Sequence, residues 1–327
     1  MFGNLVNIHD FVVLYEKVRA KGTRRIAAKF FSNKTKRVEN SWQHTESGSS
    51  FWWDIPQVVE RWNKLITGDR KVDVRKYVSE KYLSNQSEVY GISIGCGAGN
   101  REIDWLEACP RLHLKGYDIS ADRIHEAQRK VKERSLSNRL EFVVADLNEI
   151  DFPAEQYDVV ISESALHHFS SMEKIVDKVK GTLKKDGLFI VDEYVGPARF
   201  QWTDRQLDIT NKVLQRLPLE YRRTFSNGEK IKSKVFRPGR LSMYINDPSE
   251  AAESDRIPEV LQNKFQILES KKYGGTILSN LFKDIAHNFL DGSDESDRLL
   301  QLCFEREDKG MSLHEIESDF MFFVCRK

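Results

Sequence analysis

The chain has 327 residues, 40% of them hydrophobic and 31% charged, with a formal net charge of +1. That length suits one large domain with appendages or two modest ones. The charge balance leaves no global field to attract nucleic acid, and no apolar run reaches the ~18 residues of an ordinary membrane-spanning helix. The N-terminal MFGNLVNIHDFVVLYEKV is broken by Asn4, Asn7, His9 and Asp10 and lacks the basic leader and apolar block of a secretory signal. The four cysteines are scattered without metal spacing, which fits reduced thiols in a cytoplasmic protein.

Residues 1–85 read as a helical region. Lys21, Arg24, Arg25, Lys29, Lys34, Lys36 and Arg37 form a basic run there, a solvated helix face or an attraction for an anionic substrate. A polar stretch, Ser41 to Ser50, is flanked by Trp42 and by Phe51, Trp52 and Trp53. Val58, Trp62 and Leu65 with Ile66 share a helical face, and Tyr77 to Leu83 suggests a second short helix. From about residue 86 to 195, strands and helices alternate, the pattern of a parallel sheet covered on both faces.

The first strand of that region, Val89 to Ile94, runs into Gly95-Cys96-Gly97-Ala98-Gly99-Asn100. Apolar runs at Leu112–Ile119 (with Asp118 at the strand tip), Leu140–Ala145 (followed by Asp146) and Tyr157–Ile161 give strands two to four. The segment SESALHHF follows strand four, and KKDGLFIVDEY is a turn with strand five. The gap from 196 to 262 is too long for a plain connection. Within it Thr203 and Gln206 look like a capping box, continued by Leu207, Leu214 and Leu217. A strand is expected over Lys264–Ser270, helix over Gly274–Leu302, and a closing buried strand over Asp319–Cys325.

Glycine in the first strand–helix turn supplies backbone freedom and lets a ligand approach closely. The spacing G-x-G-x-G, with Asn100 where a dinucleotide fingerprint needs its third glycine, argues against NAD. The glycine turn, an acid after strand two, an acid after strand three, the LHH segment and the LKKDG turn, in that order, resemble the class I S-adenosylmethionine-dependent methyltransferases. The resemblance covers about Val89 to Tyr194 plus the closing strand. It implies a Rossmann-like α/β fold: a seven-stranded, mostly parallel sheet with the last strand inserted antiparallel and helices on both faces. It further implies a methyltransferase domain over 86–327, with the N-terminal helical region (1–85) and the 196–262 insertion covering the ligand edge.

By that resemblance S-adenosylmethionine would lie on Gly95, Cys96, Gly97 and Gly99, with Asp118 and Ile119 at the ribose. Asp146 and Leu147 would flank the adenine, and Glu163 would line the methyl-transfer pocket. The plain alternatives are a strand-ending surface acid for Asp118 and a helix cap for Asp146. His167, His168, Glu163, Asp192 and Glu193 are candidate bases, because a hydroxyl acceptor must lose a proton as it is methylated. Strand alternation lets only one of Asp192 and Glu193 face the pocket. Trp42, Trp52, Trp53 and Trp202 suit either a core or stacking on a sugar or other flat acceptor.

No [ND]PP[YF] motif follows strand four and no Pro-Cys dipeptide occurs, which counts against the amino-methylating and cytosine C5 types. The segment DEYVGPARFQW with Tyr273-Gly-Gly-Thr276 resembles bacterial enzymes of polysaccharide or secondary-metabolite assembly. The expected reaction is O-methylation of a sugar, glycan or secondary metabolite. N- or C-methylation of a small molecule, or cofactor binding without catalysis, are the alternatives. No His/Asp/Glu cluster shows ligand spacing along the sequence, so no metal is expected.

Overall fold

The structure, a computed structural model, describes Asp10 and residues 51–169, 171–225 and 230–327. Seven strands form one sheet: β1 Val89–Ile94, β2 Leu112–Asp118, β3 Leu140–Val144, β4 Tyr157–Glu163, β5 Leu183–Tyr194, β6 Gln266–Gly274 and β7 Phe320–Arg326. Their order is β3-β2-β1-β4-β5-β7-β6. β1 to β5 pair in parallel, while β7 inserts antiparallel between β5 and β6. The order turns back at β1, so β1 and β4 diverge into a crevice at their C-terminal ends, where open α/β sheets bind ligands.

Side-chain alternation sorts the apolar strands into two cores. Val159 and Ile161 fall in one and Val160 in the other; Leu188 and Ile190 part in the same way from Phe189 and Val191, and Phe322 and Val324 from Phe323 and Cys325. Burying each such side chain contributes roughly 1.5–3 kcal/mol, which makes the register strongly preferred.

The first core takes the N-terminal helices α1 (Pro56–Thr67) and α2 (Val74–Tyr82), together with α3 (Asn100–Ala108) and α4 (Ala121–Glu133). The second takes α5 (Met172–Thr182). The insertion carries α6 (Asp204–Leu214), α7 (Arg240–Asn246) and α8 (Ile257–Lys264). After β6 come α9 (Leu278–Phe282) and α10 (Asp294–Ser312). Asp10 accepts a hydrogen bond from the Gly239 amide at 3.0 Å, so this N-terminal residue meets the insertion.

Several expectations shift. Leu65 is 36% exposed while Val58 and Ile66 carry the α1 face inward. The sixth strand runs four residues beyond its expected end, to Gly274. The expected helix over 274–302 breaks between α9 and α10, where Asp284 and Gly292 take positive φ and the Ser293 hydroxyl caps Ser296 N at 3.1 Å. Thr203 caps α6 through Gln206 N at 3.0 Å, but the Gln206 side chain does not return to it. It turns instead to Thr276 and Asp319, which ties the insertion to the end of β7. Trp42, the basic run and the 41–50 stretch lie outside the described residues.

Candidate active site at the strand ends

The glycine turn is built by sterics. Gly95 has φ +71°, and a Cβ there would lie 2.5 Å from the Ala165 Cβ; Gly99 has φ +75°, and a Cβ there would lie 2.5 Å from Phe142 Cζ. Both the left-handed backbone and the close neighbours demand glycine. At the tip of β2 the half-buried Asp118 accepts from Gly97 N at 2.9 Å and Ser120 N at 2.8 Å, beside the half-buried Ile119. Cys96 lies in the same turn; burial, then Glu102 and Asp118, push its thiol well above the ordinary range, so it stays a neutral group. After β3 the Asp146 carboxylate accepts from Asn148 N at 2.9 Å and Leu147 is buried. The turn, Asp118 and Asp146 thus occupy the ends of adjacent strands in the order expected from the sequence.

β4 and β5 carry the opposite wall. Glu163 and Asp192 are register partners on one face of the sheet. Asp73 caps α2 through Arg75 N at 2.8 Å, and the Arg75 side chain reaches Glu163 Oε2 at 2.6 Å. Trp105 Nε1 donates to Glu163 Oε1 at 2.6 Å, and Arg101 donates to the Glu163 carbonyl. Tyr273 donates to Asp192, whose carboxyl is pushed up to about 6 by burial and by Glu163.

Glu193 turns to the other face, as strand alternation requires. It is fully buried and accepts from Ala165 N at 2.8 Å, Leu166 N at 2.7 Å, Tyr194 N at 2.7 Å and the His167 ring. This corrects the expectation that Glu193 is a base: a carboxylate wrapped by four donors holds the LHH segment in place rather than meeting an acceptor. Ser164, at φ +53°, makes the turn into that segment.

The His167 and His168 rings lie against each other with centroids 3.9 Å apart and planes tilted by 45°. Glu250, from the insertion, approaches both: its Oε1 lies 3.6 Å from His167 Nε2 and its Oε2 3.9 Å from His168 Nδ1. The approach is fixed by Ala252 N donating to the His167 carbonyl at 3.3 Å and by Arg199 Nη1 donating to the Glu250 carbonyl at 3.1 Å. Burial opposes charge on His167, but Glu193 outweighs it and its pKa is raised. Burial, then His167 and Arg123, hold His168 well below the ordinary histidine range. Burial raises the Glu250 carboxyl, against the pull of His167.

Sequence reasoning missed Glu250. It is one acid in an irregular, acid-rich stretch, and only the docking of the insertion on the LHH segment singles it out. The absence of ligand spacing along the sequence is likewise corrected in space, since His167, His168 and Glu250 bring their donor atoms within 4.8 Å of one another. Among the tryptophans, Trp52 is core, packed on Trp62 and Phe320. Trp53 is 44% exposed and stacks on Phe51. Trp202 stacks on Phe200, which abuts Tyr194 at the end of β5.

Among the described residues no helix is long and apolar enough to cross a membrane. Residues 92–191 match a family described as a methyltransferase domain. A sterol 24-C-methyltransferase of Debaryomyces hansenii is 24% identical over 95% of this chain and 82% of its own length. A malonyl-[acyl-carrier protein] O-methyltransferase of Priestia megaterium is 26% identical over 42% of this chain, which spans about half (51%) of that relative. The crystal structure of a geranyl diphosphate C-methyltransferase from Streptomyces coelicolor A3(2) superposes with a TM-score of 0.50 at 9% identity, over 90% of this chain and 98% of that one. This likeness bears on the fold alone. The strand order, the glycine turn and the match over 92–191 together identify a class I S-adenosylmethionine-dependent methyltransferase domain in this chain, an enzyme domain whose cofactor is S-adenosylmethionine.

Proposed function

We propose that this enzyme transfers the methyl group of S-adenosylmethionine to a hydroxyl of a small molecule, of the sugar or secondary-metabolite class, with His168 as the base. In this reading Gly95, Cys96, Gly97 and Gly99 underlie the methionine portion of the cofactor. Asp118 with Ile119 takes the ribose, Asp146 with Leu147 the adenine, and Glu163 walls the pocket. The N-terminal helices and the 196–262 insertion form the acceptor side.

One observation carries the choice of base. His167 lies between the carboxylates of Glu193 and Glu250, which favour its protonated form, whereas His168 beside it is held neutral. A base must be unprotonated at working pH. Asp192 is engaged by Tyr273 and Glu163 by Arg75 and Trp105, so both acids have partners of their own. The acceptor proton passes to His168 as the oxygen attacks the methyl carbon. The carbon–sulfur bond breaks, its electron pair stays on sulfur, and S-adenosylhomocysteine leaves neutral at that atom. The protein's share of catalysis is to hold the oxygen in line at near-attack distance.

A second reading is methylation at carbon. It is favoured by the alignment with a sterol 24-C-methyltransferase along most of this chain. The Tyr194–Phe200–Trp202 stack would then face a cationic intermediate. Incubation with methyl-labelled S-adenosylmethionine and fractionated glycan and metabolite pools, followed by mass spectrometry, decides between them. Label in an ether that survives mild acid and base supports the hydroxyl reading; label on carbon or nitrogen sinks it.

A further inference from the structure

We propose that His167, His168 and Glu250 form a binding site for a borderline divalent metal of the zinc class, and that a metal there silences methyl transfer by occupying His168. The second half rests on the assignment of His168 as base; the first does not. The three side chains converge without hydrogen-bonding one another through Glu250, since its separations of 3.6 Å and 3.9 Å from the two rings exceed hydrogen-bond length. Zinc bonds of about 2.0–2.2 Å to nitrogen and oxygen place tetrahedral donor atoms about 3.4 Å apart. The observed donors, all within 4.8 Å of one another, need close by only a modest shift.

The surroundings are those of a ligand set. Glu193 bonds His167 Nδ1, which leaves Nε2 as the atom presented toward Glu250. A carboxylate behind the distal ring nitrogen is the usual outer partner of a metal-binding histidine, fixing its tautomer and strengthening it as a donor. Charge also fits. Two carboxylates, with side chains 0% and 26% exposed, face two imidazoles 9% and 14% exposed, so a dication offsets both negative charges. After His167, Arg123 is the cation that acts on His168, and it is itself drawn to Asp118 and Glu126. Two imidazoles and one carboxylate suit zinc, cobalt or manganese; magnesium prefers all-oxygen sites and is not expected to bind. A fourth position would hold water.

The probe is cobalt(II), whose visible spectrum reports coordination number, titrated into the full chain and then displaced by zinc. One ion per chain with the intense bands of four- or five-coordinate cobalt is expected. Glu250→Gln and, separately, His168→Ala should weaken the ion at least tenfold, about 1.4 kcal/mol, while S-adenosylhomocysteine calorimetry shows each variant folded. Weak six-coordinate bands, or an affinity unmoved by both substitutions, overturn the site. With the site confirmed, zinc should abolish turnover and a chelator restore it. Metal that binds at these residues and leaves turnover intact overturns the silencing and removes His168 as base, while leaving the site standing.

Discussion

Replacing Asp118 by alanine separates two jobs of one carboxylate. In the structure it stitches the glycine turn to the tip of β2 by accepting from Gly97 N and Ser120 N at 2.9 and 2.8 Å. Hydrogen bonds to a charged group each contribute about 1.5–3 kcal/mol net when buried, and somewhat less at this half-buried position, so the fold should lose about 1–3 kcal/mol. Its second job, in the proposed reading, is to accept from the ribose hydroxyls. Losing those charge-assisted bonds should weaken S-adenosylhomocysteine by a further 1–3 kcal/mol, about 5- to 150-fold. Loosening of the turn alone would also weaken the ligand, so the informative assay is a cycle. Calorimetry is run on the native and Asp118→Ala proteins, each with S-adenosylhomocysteine and with its 2′,3′-dideoxyribose analogue. The native protein should bind the analogue more weakly than the parent ligand, and the variant should bind the two alike. Equal discrimination by both folded proteins would show that Asp118 does not touch the ribose.

Gly99→Ala places a Cβ 2.5 Å from Phe142 Cζ at φ +75°. The backbone cost of about 1–2 kcal/mol and an overpacking cost of about 1–3 kcal/mol should appear as a drop of about 2–5 kcal/mol in denaturant unfolding; a loss under 0.5 kcal/mol would contradict the turn geometry. Glu193→Gln keeps the shape of the clamp but weakens its bonds to Ala165, Leu166 and His167. Turnover should fall while S-adenosylhomocysteine affinity holds, and unchanged turnover would deny the positioning role. Buried Glu102, bonded to Ser93 at 2.6 Å, has its carboxyl raised from 4.5 to about 7 by burial. Because the folded state binds this proton more tightly, the stabilising contribution is full below pH 4.5 and is lost as pH rises to about 7. Glu102→Gln should therefore be more stable than the native protein at pH 8, by up to about 3 kcal/mol, with the gain vanishing near pH 4.5. A pH-independent difference in melting temperature would refute this.

The sheet was legible because its strands are short apolar runs, buried on both faces and punctuated by glycine and acids. That grammar is local, and it located Gly95, Asp118, Asp146 and the LHH segment. The acceptor side was less legible because its groups meet across long stretches of sequence. Arg75 and Glu163 are 88 residues apart, and no periodicity joins them. Glu250 reaches the histidines only because the insertion folds back through Arg199 and Ala252. Alternation showed that Asp192 and Glu193 must part, but not which would face the pocket. The register of β5 with β4 sets Asp192 on the same face as Glu163, and Glu193 on the face of the LHH segment. Trp52 shows the opposite limit: beside a polar stretch it suited either a core or ligand stacking, and Phe320, far along the chain, together with Trp62 on the next helix, encloses it in the core.

The central claim is that a neutral imidazole at the end of β4 takes the acceptor's proton during methyl transfer. Its most direct test is single-turnover transfer of labelled methyl from S-adenosylmethionine by the native protein and by His168→Gln, on the acceptor found by pool labelling, with S-adenosylhomocysteine affinity measured on the same samples. The account predicts a rate lowered about 10²–10⁴-fold with affinity nearly unchanged. A variant that transfers methyl at close to the native rate would contradict it.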